Sequence, residues 1–136
     1  MEPMVVMLME KEQDTGYLTK EIGSYRIMEG GQYIDSIYLT DQEGERTVHL
    51  RLTTDRDLED WEYEAVFDYY DTEVFGQEIR SIVEVEEEFN PVWEIAFPFT
   101  DSREGMETML ERILTIHKTE LNSTYEEIQD KKEEYE

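Results

Sequence analysis

Carboxylates dominate the chemistry open to this sequence. Asp55, Asp57, Glu59 and Asp60 stand within six residues after a strand-like segment, and oxygen ligands at such density suit Ca²⁺ or Mg²⁺. An EF-hand loop starting at Asp55 would need Gly at its sixth position and Glu at its twelfth, where Asp60 and Val66 stand. A divalent-cation site is therefore a minor alternative. Further acids follow at Glu62, Glu64 and Asp68, and a second group at Glu84, Glu86, Glu87 and Glu88. Leu58, Trp61, Tyr63, Phe67, Tyr69 and Tyr70 interrupt the first group, as in a folded element with one charged face. These eleven acids are the expected surface for a basic protein partner.

Acid/base catalysis requires a carboxyl or imidazole whose pKa is moved by burial or a neighbour, and 36 acids allow too many pairs to single one out. The two imidazoles carry little more. His49 falls on the outer face of a strand beside Arg51, and His117 lies among apolar helix positions, so both read as structural or surface residues. No His-Glu-x-x-His, Gly-x-Ser-x-Gly, phosphate loop or dinucleotide fingerprint occurs. The expectation is a protein that is not an enzyme and takes no cofactor.

The 136 residues hold 12 Lys and Arg against the 36 acids, a net charge of -24. Residues 55–101 alone hold 16 acids and 2 bases. Phosphate neutralisation and docking on anionic lipid both need clustered cations, so direct nucleic-acid and membrane binding are disfavoured. Without cysteine, disulfides and thiolate metal sites cannot form. Met1-Glu2-Pro3 offers no positive leader region, and the apolar run 4–9 is too short for a signal core or a membrane span. A cytoplasmic location is the resulting expectation.

The length suits one domain, with residues 1–100 mainly strands, 101–121 a packing helix and 122–136 an acidic helical extension or frayed tail. Strands are expected at 4–10, 18–27, 32–40 and 47–54, with Gly23 at a bulge and Gly30-Gly31 at a hairpin. The 47–54 segment is the clearest, since Val48, Leu50 and Leu52 alternate with Thr47, His49, Arg51 and Thr53. Trp61, Tyr63, Ala65, Phe67 and Tyr69 also share one parity, which favours a strand after a short helical turn at 57–60. Residues 78–86 and 92–99 read as an antiparallel pair, Pro98 marking an edge or an end.

From Asp101 the period changes to that of a helix, with Met106, Met109, Leu110, Ile113, Leu114, His117 and Leu121 on one face. Carried to residue 134 it would be roughly 50 Å long, so the expectation is a bend at the second capping box, Ser123 to Glu126, or a projecting final segment with little apolar content. The fold class is α+β: an antiparallel sheet or partly closed barrel of about six to seven strands, with the long C-terminal helix packed on it. Seven strands and a terminal helix resemble the element order of pleckstrin-homology-like barrels, a likeness of architecture alone.

If residues 61–70 form a strand, Glu62, Glu64 and Asp68 share a face about 6.8 Å apart, and the aromatic stripe behind them is core. Such a ladder would imitate nucleic-acid phosphates toward a basic groove. In composition the chain resembles small acidic, cysteine-free inhibitors of restriction or CRISPR nucleases. The leading expectation is thus an acidic interaction protein for a basic partner, acting as a nucleic-acid mimic. The alternative is a soluble cytosolic protein acidic for solubility, its methionines and aromatics supporting a homodimer.

Overall fold

Every second residue of the 47–54 segment is buried, and a sheet grows on both sides of it. The computed structural model describes residues 3–136. Its strands are β1 (Met4–Lys11), β2 (Leu18–Ile27), β3 (Ile34–Gln42), β4 (Glu45–Thr53), β5 (Ser81–Val85) and β6 (Val92–Pro98). Between β4 and β5 lies α1 (Asp60–Tyr69), followed by a 3-10 segment at Thr72–Glu78. After β6 come α2 (Arg103–Ile128) and the short α3 (Lys132–Tyr135). The order across the sheet is β2-β1-β3-β4-β6-β5. Only β1 and β3 pair in parallel, and the sheet stays open.

The fold is therefore α+β, a six-stranded mixed sheet not closed into a barrel, with a long C-terminal helix. Val6, Leu8, Leu39, Val48, Leu50, Leu52, Trp93, Ile95 and Phe97 from the sheet meet Met106, Leu110, Ile113, Leu114 and Leu121 of α2 in one apolar cluster. Each such fully buried aliphatic side chain contributes about 1.5–3 kcal/mol relative to exposure. The opposite sheet face carries Tyr38, His49, Arg51 and Glu94 of β3, β4 and β6, with exposed Val5 and Met7 of β1.

Several expectations change. Gly30-Gly31 does not turn a hairpin: β2 pairs with β1, and the chain crosses on the helix side to place β3 beside β1. Gly30 makes this crossing with φ of 90°, and a Cβ on it would lie 3.1 Å from the Leu114 Cβ. Gly30→Ala is accordingly expected to cost about 1–3 kcal/mol, read as a lower denaturation midpoint with an unchanged slope. An undiminished midpoint would contradict that backbone geometry. The register between Leu8 and Met9 does shift, opposite Gly23 and Glu21, giving the bulge expected near Gly23.

Residues 60–69 form a helix, not the expected strand. The Glu62 carboxylate accepts from the Glu59 backbone N–H (3.0 Å). Asp60 and Glu62 place negative charge at the positive helix end. Ala65 and Val66 turn into the core, while Trp61, Tyr63, Phe67 and Tyr69 are only half-buried at its margin. The aromatic stripe is thus not the core that strand periodicity implied. β6 is interior, and Pro98 ends it. α2 does not bend at 122. Leu121, Thr124 and Ile128 continue its buried stripe, and the Thr124 hydroxyl bonds back to the Glu120 carbonyl (2.8 Å).

Candidate functional site

The ladder of Glu62, Glu64 and Asp68 does not form, because on a helix these residues do not share one face. Glu62 turns inward, where Arg56 donates to both of its oxygens (3.4 and 3.0 Å). Burial raises its pKa, but the Arg56 hydrogen bond, the Glu59 amide and nearby cations outweigh that and hold it below the usual carboxylate range. Other acids of the first group are likewise tied to structure. Asp55 accepts from the Tyr125 hydroxyl (3.1 Å), Asp57 from the Asn90 amide (3.0 Å) and Glu59 from the Trp61 indole (2.8 Å). Asn90 also accepts from the Leu58 N–H (3.0 Å), so these contacts pin the chain after β4 to the chain entering β6. Asp60 is exposed on the first turn of α1, and Glu88 is exposed in the β5–β6 turn.

A different subset converges. Glu64 and Asp68 lie one turn apart on α1. Together with Glu84 of β5 and Glu86 and Glu87 of the following turn, they line a groove of about 440 Å³ with Tyr63 and Phe67. The β5 register explains the meeting: Ile82 and Glu84 pair with Ile95 and Trp93, which face the helices, so Glu84 points to the side where α1 lies. Phe67 packs edge-on against Trp93 (5.3 Å), fixing α1 against β6. Burial, then the charges of Asp68 and Glu86, push the Glu84 carboxyl above its ordinary pKa. Among the described residues, none of these five carboxylates forms an ion pair. Asp68 accepts from the Tyr135 hydroxyl of α3 (2.7 Å). Nor is any group of three carboxylates or imidazoles gathered to hold a metal among those residues.

Two further clusters surround the histidines. His49 is on the outer sheet face beside Arg51, stacked on Tyr38 (4.7 Å). Glu94 receives the Tyr38 hydroxyl (3.0 Å) and Arg51 Nε (3.0 Å), with His49 Nδ1 at 3.4 Å. Burial raises the Glu94 pKa, but the Arg51 and Tyr38 hydrogen bonds and nearby positive charge bring it below its ordinary value. This network went unseen in the sequence, because it needs β4 paired with β6 across more than forty residues. His117 is fully buried. Thr53's carbonyl can only accept, so Nε2–H donates to it (2.8 Å), leaving Nδ1 to accept from Tyr70 (2.7 Å).

The fold and groove thus define a small α+β protein with a helix-backed anionic cleft and an aromatic floor. The chain belongs to a family of unknown function, DUF6762, which it matches over residues 1–136. No curated protein and no solved structure matches it. Among the described residues, no helix is long and apolar enough to cross a membrane.

Proposed function

We propose that this chain is a non-enzymatic interaction protein whose groove between α1 and β5 receives a basic segment of a protein partner. The observation that carries the reading is the convergence, on a floor of Tyr63 and Phe67, of five carboxylates that have no ion-pair partner among the described residues. A Lys or Arg side chain suits both parts. Its apolar stem lies on the rings, its head reaches the carboxylates, and a guanidinium gains from the ring face. The raised pKa of Glu84 supports the reading, since a cation in the groove relieves the crowding of like charge. Imitation of a nucleic acid no longer rests on a regular strand ladder, and draws only on the charge.

Neutralising Glu64, Glu84, Glu86 and Glu87 to Gln should weaken binding of a Lys/Arg-rich peptide by about tenfold or more and flatten its salt dependence. Neutralising Glu104, Glu126, Glu127 and Glu133, which are exposed on α2 and α3, should leave binding within about twofold. Equal losses in the two variants would instead make the acidity a general solubilising coat.

A further inference from the structure

The two edges of the sheet are finished differently. Along β2, α2 supplies partners for the strand's outward groups. Glu107 accepts from the Arg26 N–H (2.6 Å), Glu111 accepts from the Met28 N–H just beyond the strand (3.4 Å), and Arg103 donates to the Ser24 carbonyl (3.3 Å). Such cover prevents an edge from recruiting another strand. At the other edge, β5 pairs with β6 alone, and among the described residues no backbone hydrogen bond reaches Ser81–Val85 from anywhere else. Alternate N–H and C=O groups of β5 therefore point outward without a partner. The strand is rich in β-branched residues and contains no proline, so it lacks that common block to pairing, and its one charge, Glu84, would repel anionic but not cationic neighbours.

We infer that β5 is a strand-addition site, and that its occupant is an extended segment of a partner protein in which basic and apolar residues alternate. This deepens the groove reading above and rests on it. A strand added beside β5 would lie about 4.8 Å away, with alternate side chains on opposite faces. Those on the helix side stand next to Glu84 and over Tyr63, Phe67, Glu64 and Asp68, where cations match the charge. Those on the other side stand beside Val83, which is 53% exposed and offers apolar contact. Backbone bonds then supply affinity while alternate side chains supply specificity. A second copy of this chain fits poorly, because edge-to-edge pairing would bring two sets of five carboxylates together.

The test uses two seven-residue peptides of identical composition, one alternating Lys and Val, the other with its lysines in one block. Affinity is read by fluorescence anisotropy at low and high salt, and amide hydrogen exchange of the full chain is followed over residues 81–85. The alternating peptide should bind roughly tenfold tighter, because with the backbone paired to β5 only it turns its lysines to the carboxylates and its valines to Val83, and exchange along β5 should slow. Equal affinity for the two peptides, or unchanged exchange in β5 on binding, overturns strand addition and leaves the groove reading standing. Failure of both peptides to bind at low salt overturns both.

Discussion

Between pH 6.5 and 4, the stability of the protein relative to its His117→Phe variant should fall by about 3 kcal/mol, enough to cancel or reverse the protein's advantage at neutral pH. Burial lowers the His117 pKa to about 4, outweighing the Thr53 carbonyl and Asp55, which act to raise it. The unfolded chain takes up the proton near pH 6.5, while the folded chain refuses it until about pH 4. Through that interval the unfolded state binds more protons, so stability falls as pH falls, by about 1.4 kcal/mol per pH unit. The contribution is intact above pH 6.5 and gone below pH 4. Comparison with the variant is needed because acid also neutralises carboxylates and relieves the repulsion of a chain at -24. At pH 7 the variant should itself be less stable by about 1–3 kcal/mol, since the Tyr70 hydroxyl and the Thr53 carbonyl lose their partner. Urea melts from pH 7.5 to 3.5 provide the check, and a variant difference that is flat with pH would exclude a neutral buried imidazole.

Trp93→Ala should cost about 3–5 kcal/mol, among the largest single losses available to this fold. Trp93 is fully buried on β6 and stacks on Tyr70 (4.3 Å), with Phe67 and His117 edge-on at 5.3 and 5.4 Å. It therefore joins the sheet to α1, to the segment after it and to α2. Denaturation monitored by circular dichroism should show a matching fall in midpoint. A loss under about 1 kcal/mol would mean that α1 does not pack against β6 as described.

How much of this could be read in advance depended on whether one element's own period settled the matter. Val48, Leu50 and Leu52 announce β4 because a half-buried strand repeats every two residues, and the stripe from Met106 to Leu121 announces α2 for the corresponding helical reason. Residues 60–69 deceived because Trp61, Tyr63, Ala65, Phe67 and Tyr69 match the strand period by parity. The features that decide in favour of a helix are acids at its first turn and two small or branched residues, Ala65 and Val66, facing the core. Of the two expectations at 122, the bend does not occur and the helix runs on, because polar Thr124 satisfies its hydroxyl on the preceding turn and can be buried. Of the candidate acids, Glu64, Asp68, Glu84, Glu86 and Glu87 converge, while Asp55, Asp57, Glu59 and Glu62 are used to secure the loops and the start of α1. No local pattern separates those two sets. The separation comes from α1 being a helix and from the register of β5 on β6, both of which are tertiary facts.

The insertion of β6 between β4 and β5 also imposes an order on assembly of the sheet. Until residues 92–98 have been made and placed, β4 is paired on its β3 side alone, and β5 lacks the one neighbour it has in the finished sheet. An edge left open in that way invites pairing between nascent chains. Most of the most negative stretch of the sequence is made during the same interval, and like charges flanking an exposed strand oppose such association. The acids that frame the finished groove precede residues 92–98 in the chain, so their like charge is already in place while β4 and β5 still lack the strand between them.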